Sequence, residues 1–118
     1  MPDDQSIDMQ AIDALRELSP DADFIRELIE IYLQDTPQRI AELDAGLTKQ
    51  DFALFSRAAH TIKGSSSNFG ATKLTKLAHE LEMQGKASNL SSAPEACLKL
   101  KAEYTQVAEA LTKILKSL

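Results

Sequence analysis

SAPEACLKLKAEYTQVAEALTKILKSL, residues 92–118, is the stretch that decides the fold. Cys97, Leu100, Tyr104, Val107, Leu111, Ile114 and Leu118 recur at alternating spacings of three and four, which lines one face of an α-helix with apolar side chains. Ser92, with Glu95 three residues on, matches a capping box that would satisfy the free amides of a helix start. A seven-residue period also suits an intermolecular coiled coil. The short connections and the further helical segments upstream favour packing within one chain instead.

Upstream, Leu74, Leu77 and Leu81 mark a helix that is expected to stop at Gly85 as its C-terminal cap, before a polar loop from Ser88 to Ser92. Before it, Phe52, Phe55, Ala59, Ile62, Ser66 and Phe69 share a stripe, with Asp51 placed as N-cap and Ser65 to Gly70 ending or interrupting the helix. Phe24, Ile25, Leu28, Ile31 or Tyr32, then Ile40, Leu43 and Leu47 form another apolar series, with Ser19 as its cap and Pro20 at its first position. Pro37 falls inside this series and predicts a kink or break near Gln34 to Thr36; the resumed period favours a kink. Ile7 or Met9, Ile12, Leu15 and Leu18 make a short leading helix. No stretch alternates with period two. The expected architecture is all-α, an up-and-down four-helix bundle with a short additional N-terminal helix, occupying residues 1–118 as a single domain.

A chain of 118 residues with 43% hydrophobic content can bury around two thirds of its unfolded surface in one core. No run approaches the roughly 20 apolar residues of a membrane span, and Met1-Pro2-Asp3-Asp4 is acidic where a secretory signal is basic and then apolar. The lone Cys97 permits no internal disulfide. These features lead to the expectation of a cytoplasmic protein without a membrane partner. A net charge of −5 argues against nucleic acid as a partner. Between Arg57 and Lys86, however, Arg57, Lys63, Lys73, Lys76 and Lys86 face only Glu80 and Glu82, so the segment is locally positive.

His60 sits roughly 130° around its helix from the apolar stripe, with Lys63 and Gly64 as its neighbours one turn along. An ordinary surface histidine is the bland reading. The glycine speaks against it, because glycine inside a helix costs roughly 0.5–1 kcal/mol relative to alanine and here leaves another molecule room to approach the imidazole. Neutral imidazole is a nucleophile at physiological pH, and an amine such as that of Lys63 can hold phosphoryl oxygens. Other chemistries lack their parts. His60, His79 and Cys97 have no zinc-ligand spacing, no Gly-x-Ser-x-Gly elbow is present, and the earlier glycine that a phosphate loop at Lys63-Gly64-Ser65 would need is absent. His79 reads as a boundary residue and Cys97 as a small core residue. A bundle of this kind could carry a phosphoryl group, with the metal and the rest of the catalytic apparatus supplied by a partner.

The run His60-x-Ile62-Lys63-Gly64-Ser65-Ser66, with Gly70-Ala71 and then Leu74, Leu77 and Leu81-Glu82, resembles the histidine-containing phosphotransfer domains of multistep phosphorelays over essentially the whole chain. The resemblance implies that His60 accepts a phosphoryl group on Nε2 from the aspartyl phosphate of one receiver domain and passes it to the aspartate of another. Lys63 would steady the phosphoryl oxygens and Gly64 would admit the receiver. The chain itself would bind no cofactor, Mg²⁺ being supplied by the receiver, and would act as a monomeric carrier rather than an enzyme. Some members place a glutamine at the position of Glu82, where it bonds the imidazole; a glutamate cannot donate, which leaves Glu82 and Gln84 as alternative orienting groups. The expected partner-binding residues are Ile12, Leu15, Arg57, Ser67 and Lys76, and a hybrid sensor histidine kinase is a further candidate partner. The alternative reading is a non-catalytic helical adaptor that binds receivers without phosphotransfer.

Overall fold

The stripes become five helices in the computed structural model, which describes residues 6–118: α1 Met9–Glu17, α2 Ala22–Lys49, α3 Phe52–Ser67, α4 Thr72–Lys86 and α5 Ala93–Ser117. The acidic opening Met1-Pro2-Asp3-Asp4 lies outside the described residues. No strand occurs among them, and no helix is long and apolar enough to cross a membrane. Helix α3 packs between α2 and α4, and α5 closes the ring against α4 and α2. The expected bundle is therefore the one observed.

Helix lengths explain the place of α1. At 1.5 Å per residue the 28 residues of α2 reach about 42 Å, close to the 44 Å long axis of the molecule, while the 16 residues of α3 reach about 24 Å. The shorter α3–α4 pair leaves one end of the long helices uncovered, and α1 fills it. Ile7 and Ile12 are buried there, and Asp8 and Ala11 press against Gly70, whose φ of 67° turns the chain from α3 into α4.

The core joins all five helices through Ile12, Ile29, Phe55, Ile62, Leu81 and Leu100, among others. Ser66, polar yet on the α3 stripe, is fully buried because its Oγ shares a 2.8 Å hydrogen bond with the Tyr32 hydroxyl of α2. Burial pushes that phenol up to about 12. Cys97 is a core residue, and burial likewise pushes its thiol up to about 11.

Several local expectations change. Asp51 caps α3 as expected, its Oδ1 accepting from the Leu54 amide, but α2 starts at Asp21, which accepts from the Asp23 amide, and Ser19 instead accepts from the Asp21 amide. Ser92 makes no capping bond, having already entered the helical region of backbone space with ψ of −2°. Helix α2 runs through Pro37 without a break, with the proline on its exposed side. Gly85 is not a cap: α4 continues past it, and the left-handed residue that follows the helix is Ser88, with φ of 53°. The glycine serves packing, since a Cβ there would lie 2.9 Å from Ser56 Cβ and 3.1 Å from its backbone.

Candidate functional site

The close approach at Gly85 sets the register of the antiparallel α3–α4 pair. Ser56 lies against Gly85, so four residues on, at the next turn of α3, His60 lies level with Glu82. Ala59 and Ala78, both fully buried, keep the seam narrow beneath. The His60 side chain remains 65% exposed, while Glu82 beneath it is only 3% exposed.

Three cationic or potentially cationic side chains converge on that carboxylate. His60 Nδ1 is 2.9 Å from Oε2, Lys63 Nζ is 2.8 Å from Oε1 and Lys86 Nζ is 3.1 Å from Oε2; His79 Nδ1 stands further off, at 4.0 Å. Burial alone would raise the carboxyl pKa, but Lys63, Lys86 and His60 outweigh it and hold Glu82 down to about 2. An ionised carboxylate only accepts hydrogen bonds. The hydrogen between Glu82 and His60 therefore belongs to Nδ1, and the lone pair of the neutral ring stands on Nε2, the nitrogen turned away from the carboxylate.

That network makes a pH prediction. Glu82 titrates at about 2 in the fold and near its ordinary 4.5 when unfolded, so its contribution is complete above pH 4.5 and disappears as the pH falls towards 2. The shift corresponds to roughly 3 kcal/mol. Urea unfolding across this window should show a steep acid limb that flattens in Glu82→Gln; an unchanged limb would rule the network out as its source.

The Hpt domain family model matches residues 27–110. The chain belongs to this family. Within this Hpt domain, residues 27–110 take in most of α2, all of α3 and α4, and α5 as far as Ala110. A curated relative, Multistep phosphorelay regulator 1 of Schizosaccharomyces pombe, is 31% identical over 85 residues; the match covers 70% of this chain and 29% of that protein. The crystal structure of histidine-containing phosphotransfer protein B (HptB) of Pseudomonas aeruginosa PAO1 superposes with a TM-score of 0.91 at 25% identity, covering 98% of this chain and 99% of that one. The Hpt domain of a Shewanella hybrid sensor histidine kinase shares the fold, with a TM-score of 0.74 at 21% identity over 92% of this chain and 93% of that chain. Histidine phosphotransfer in a phosphorelay is thus the function of the Hpt domain, which acts as a carrier.

The other expected site residues divide. Gly64 faces open space, with nothing within 4 Å of where a Cβ would stand. Gln84 makes no hydrogen bond to His60; its Oε1 is buried without a partner, and Glu82 is the residue that holds the ring. The worry that a glutamate cannot donate dissolves, because the ring is the donor. Arg57, Ser67 and Lys76 are exposed, with Ser67 Oγ donating to the Gly64 carbonyl at 2.8 Å. Ile12 is corrected: α1 turns it fully inward, so it cannot touch a partner. Leu15 is half-buried at the rim of a groove of about 310 Å³ that Leu18, Phe24, Leu28, Ile31 and Phe69 also line. Leu18 and Ile31 are 71% and 61% exposed, and neither was expected as a contact. The only trace of Ile31 in the sequence is its ambiguity with Tyr32, which takes the buried place. Lys86 was also missed, although its i+4 spacing from Glu82 is a legible ion-pair signal. Among the described residues no group of three His, Cys, Asp or Glu is placed to hold a metal ion, and the side chains on Glu82 are cationic, which does not suit Mg²⁺.

Proposed function

We propose that His60 is the phosphoryl carrier of this Hpt domain, taking the group on Nε2 from the aspartyl phosphate of one receiver domain and giving it to the aspartate of another. The observation that carries this reading is the bond between His60 Nδ1 and the buried, ionised Glu82, which leaves an exposed Nε2 lone pair. That lone pair attacks phosphorus as the bond to the aspartyl oxygen breaks and its electron pair returns to the carboxylate. Glu82 meanwhile stabilises the positive charge that develops on the ring. Lys63, now on Glu82, lies one turn from His60 and would move its amine onto the phosphoryl oxygens. Gly64 leaves the approach clear. Mg²⁺ held by the receiver's acidic pocket would neutralise the phosphoryl oxygens in transit. The apolar groove with Leu18 and Ile31 at its rim supplies a docking surface for the receiver, and the exposed Arg57, Ser67 and Lys76 offer further polar contacts on α3 and α4. The proposal includes a monomeric, cytoplasmic carrier, and the receiver of a hybrid histidine kinase is one candidate donor.

Incubation with a phosphorylated receiver and Mg²⁺ should place on this chain a label that is labile in acid and stable in base, as expected of a phosphorus–nitrogen bond. An acid-stable label would point to a hydroxyl instead and overturn the proposal. Receiver binding with no label at all would favour the non-catalytic adaptor.

A further inference from the structure

Orienting His60 does not by itself require a charge, since a neutral amide oxygen could accept the same hydrogen bond from Nδ1. The charge of Glu82 therefore invites a separate account. A carboxylate this deeply buried depends on positive groups in contact, and here they are Lys63 on Oε1 and Lys86 with the His60 ring on Oε2. A phosphoryl group on Nε2 brings negative charge to the exposed side of the ring and competes for the nearby Lys63 amine. Oε1 has no partner in hydrogen-bond geometry and is held by the Lys63 ion pair, with His79 4.0 Å away. As Lys63 leaves, the carboxylate has more need of the two contacts that remain, Lys86 and the Nδ1 hydrogen.

Resting on the assignment of His60 as carrier, we propose that Glu82 keeps Nδ1 protonated while the phosphoryl group is on Nε2, so that the carrier discharges from an imidazolium. In onward transfer the Nε2–phosphorus bond breaks, its electron pair returns to Nε2, and the acceptor carboxylate oxygen forms the new bond to phosphorus. Nδ1 holds its proton throughout. The departing group is then neutral imidazole, where an unprotonated ring would have to leave as imidazolate. Glu82 is thus a positioning residue that works through the ring and sets how readily it gives up its load. The charged groups around the ring are Arg57 and Lys63 from α3 and Glu82 from α4, with His79 and Lys86 beside Glu82. The cations all oppose protonation, and the carboxylate is the counterweight.

The chain can be loaded with phosphoramidate, a small donor that needs no receiver, and Nδ1 protonation followed by nitrogen and phosphorus NMR from about pH 6 to about pH 9, around the imidazole range. Nδ1 should lose its proton in the wild type at least about one pH unit above Glu82→Gln, and Glu82→Asp, which keeps the charge on a shorter arm, should fall between. At a pH above both midpoints, phosphohistidine in Glu82→Gln should decay about tenfold more slowly, one unit of midpoint being a tenfold change in the protonated fraction. Circular dichroism checks that each variant is folded; if Glu82→Gln is not, Glu82→Asp against the wild type carries the comparison. Coincident midpoints with His60 loaded in folded proteins would overturn this role for Glu82 and leave the carrier assignment standing. Failure to load His60 at all would overturn the carrier assignment, and this inference with it.

Discussion

His60→Gln should take up no phosphoryl group from a phosphorylated receiver, with transfer below detection, while the protein stays folded. The loss is complete because an amide side chain has no nucleophilic lone pair to replace Nε2. The fold survives because the ring is 65% exposed and Glu82 keeps both Lys63 and Lys86 when the imidazole is gone. What disappears is one hydrogen bond at the edge of the core, a change of about 1 kcal/mol. Label transfer and calorimetry on the same preparation test both halves. The protein's other histidine, His79, is 55% exposed and serves as the control: His79→Gln should label normally. Wild-type labelling of His60→Gln would remove the proposed carrier.

Gly64→Leu should slow transfer by a factor of about 100 or more without loss of stability, since displacement of reacting groups by about 1 Å can cost that much. Beyond the helix's own backbone nothing lies within 4 Å of the position its Cβ would take, so the side chain enters the α3 surface without a clash at Cβ and projects into the space that the partner must enter. Gly64→Ala should be intermediate in transfer and should raise stability by roughly 0.5–1 kcal/mol, the intrinsic gain of alanine over glycine in a helix. Rates with one receiver, read beside unfolding midpoints, separate the two effects. A Gly64→Leu protein that transfers at the wild-type rate would show that the receiver does not pass over this turn.

The contrast between Gly64 and Gly85 shows where sequence reading succeeds and where it stops. Both glycines lie inside helices, yet one faces open space and the other meets Ser56 across the α3–α4 seam. Periodicity placed Phe55, Ile62, Leu81, Leu100 and Leu111 inward and His60 outward, because those are properties of a single helix. The vertical alignment of two helices is a property of their contact, and no single segment contains it. A glycine at the end of an apolar series therefore signals a cap, as at Gly85, and the meeting of Glu82 with His60 is approachable only through a family resemblance. Glu82 is buried although charged because its neutralising partners come from α3 as well as α4. Ile12 misled for a related reason: a short amphipathic helix offers an apolar face, but the neighbouring helices determine whether that face is covered.

The tight seam at Gly85 has a consequence for how one carrier can serve successive partners. Donor and acceptor must each find the same nitrogen at the same height and tilt, or each exchange would begin with a search. Both His60 and the residue beneath it stand on helix backbones locked together at Ser56 and Gly85, and neither sits on a loop that could readjust. The geometry is thus a property of the bundle's stiffness and need not be remade at each encounter. Partners are free to differ in their own surfaces, provided that each can dock on an unmoving platform.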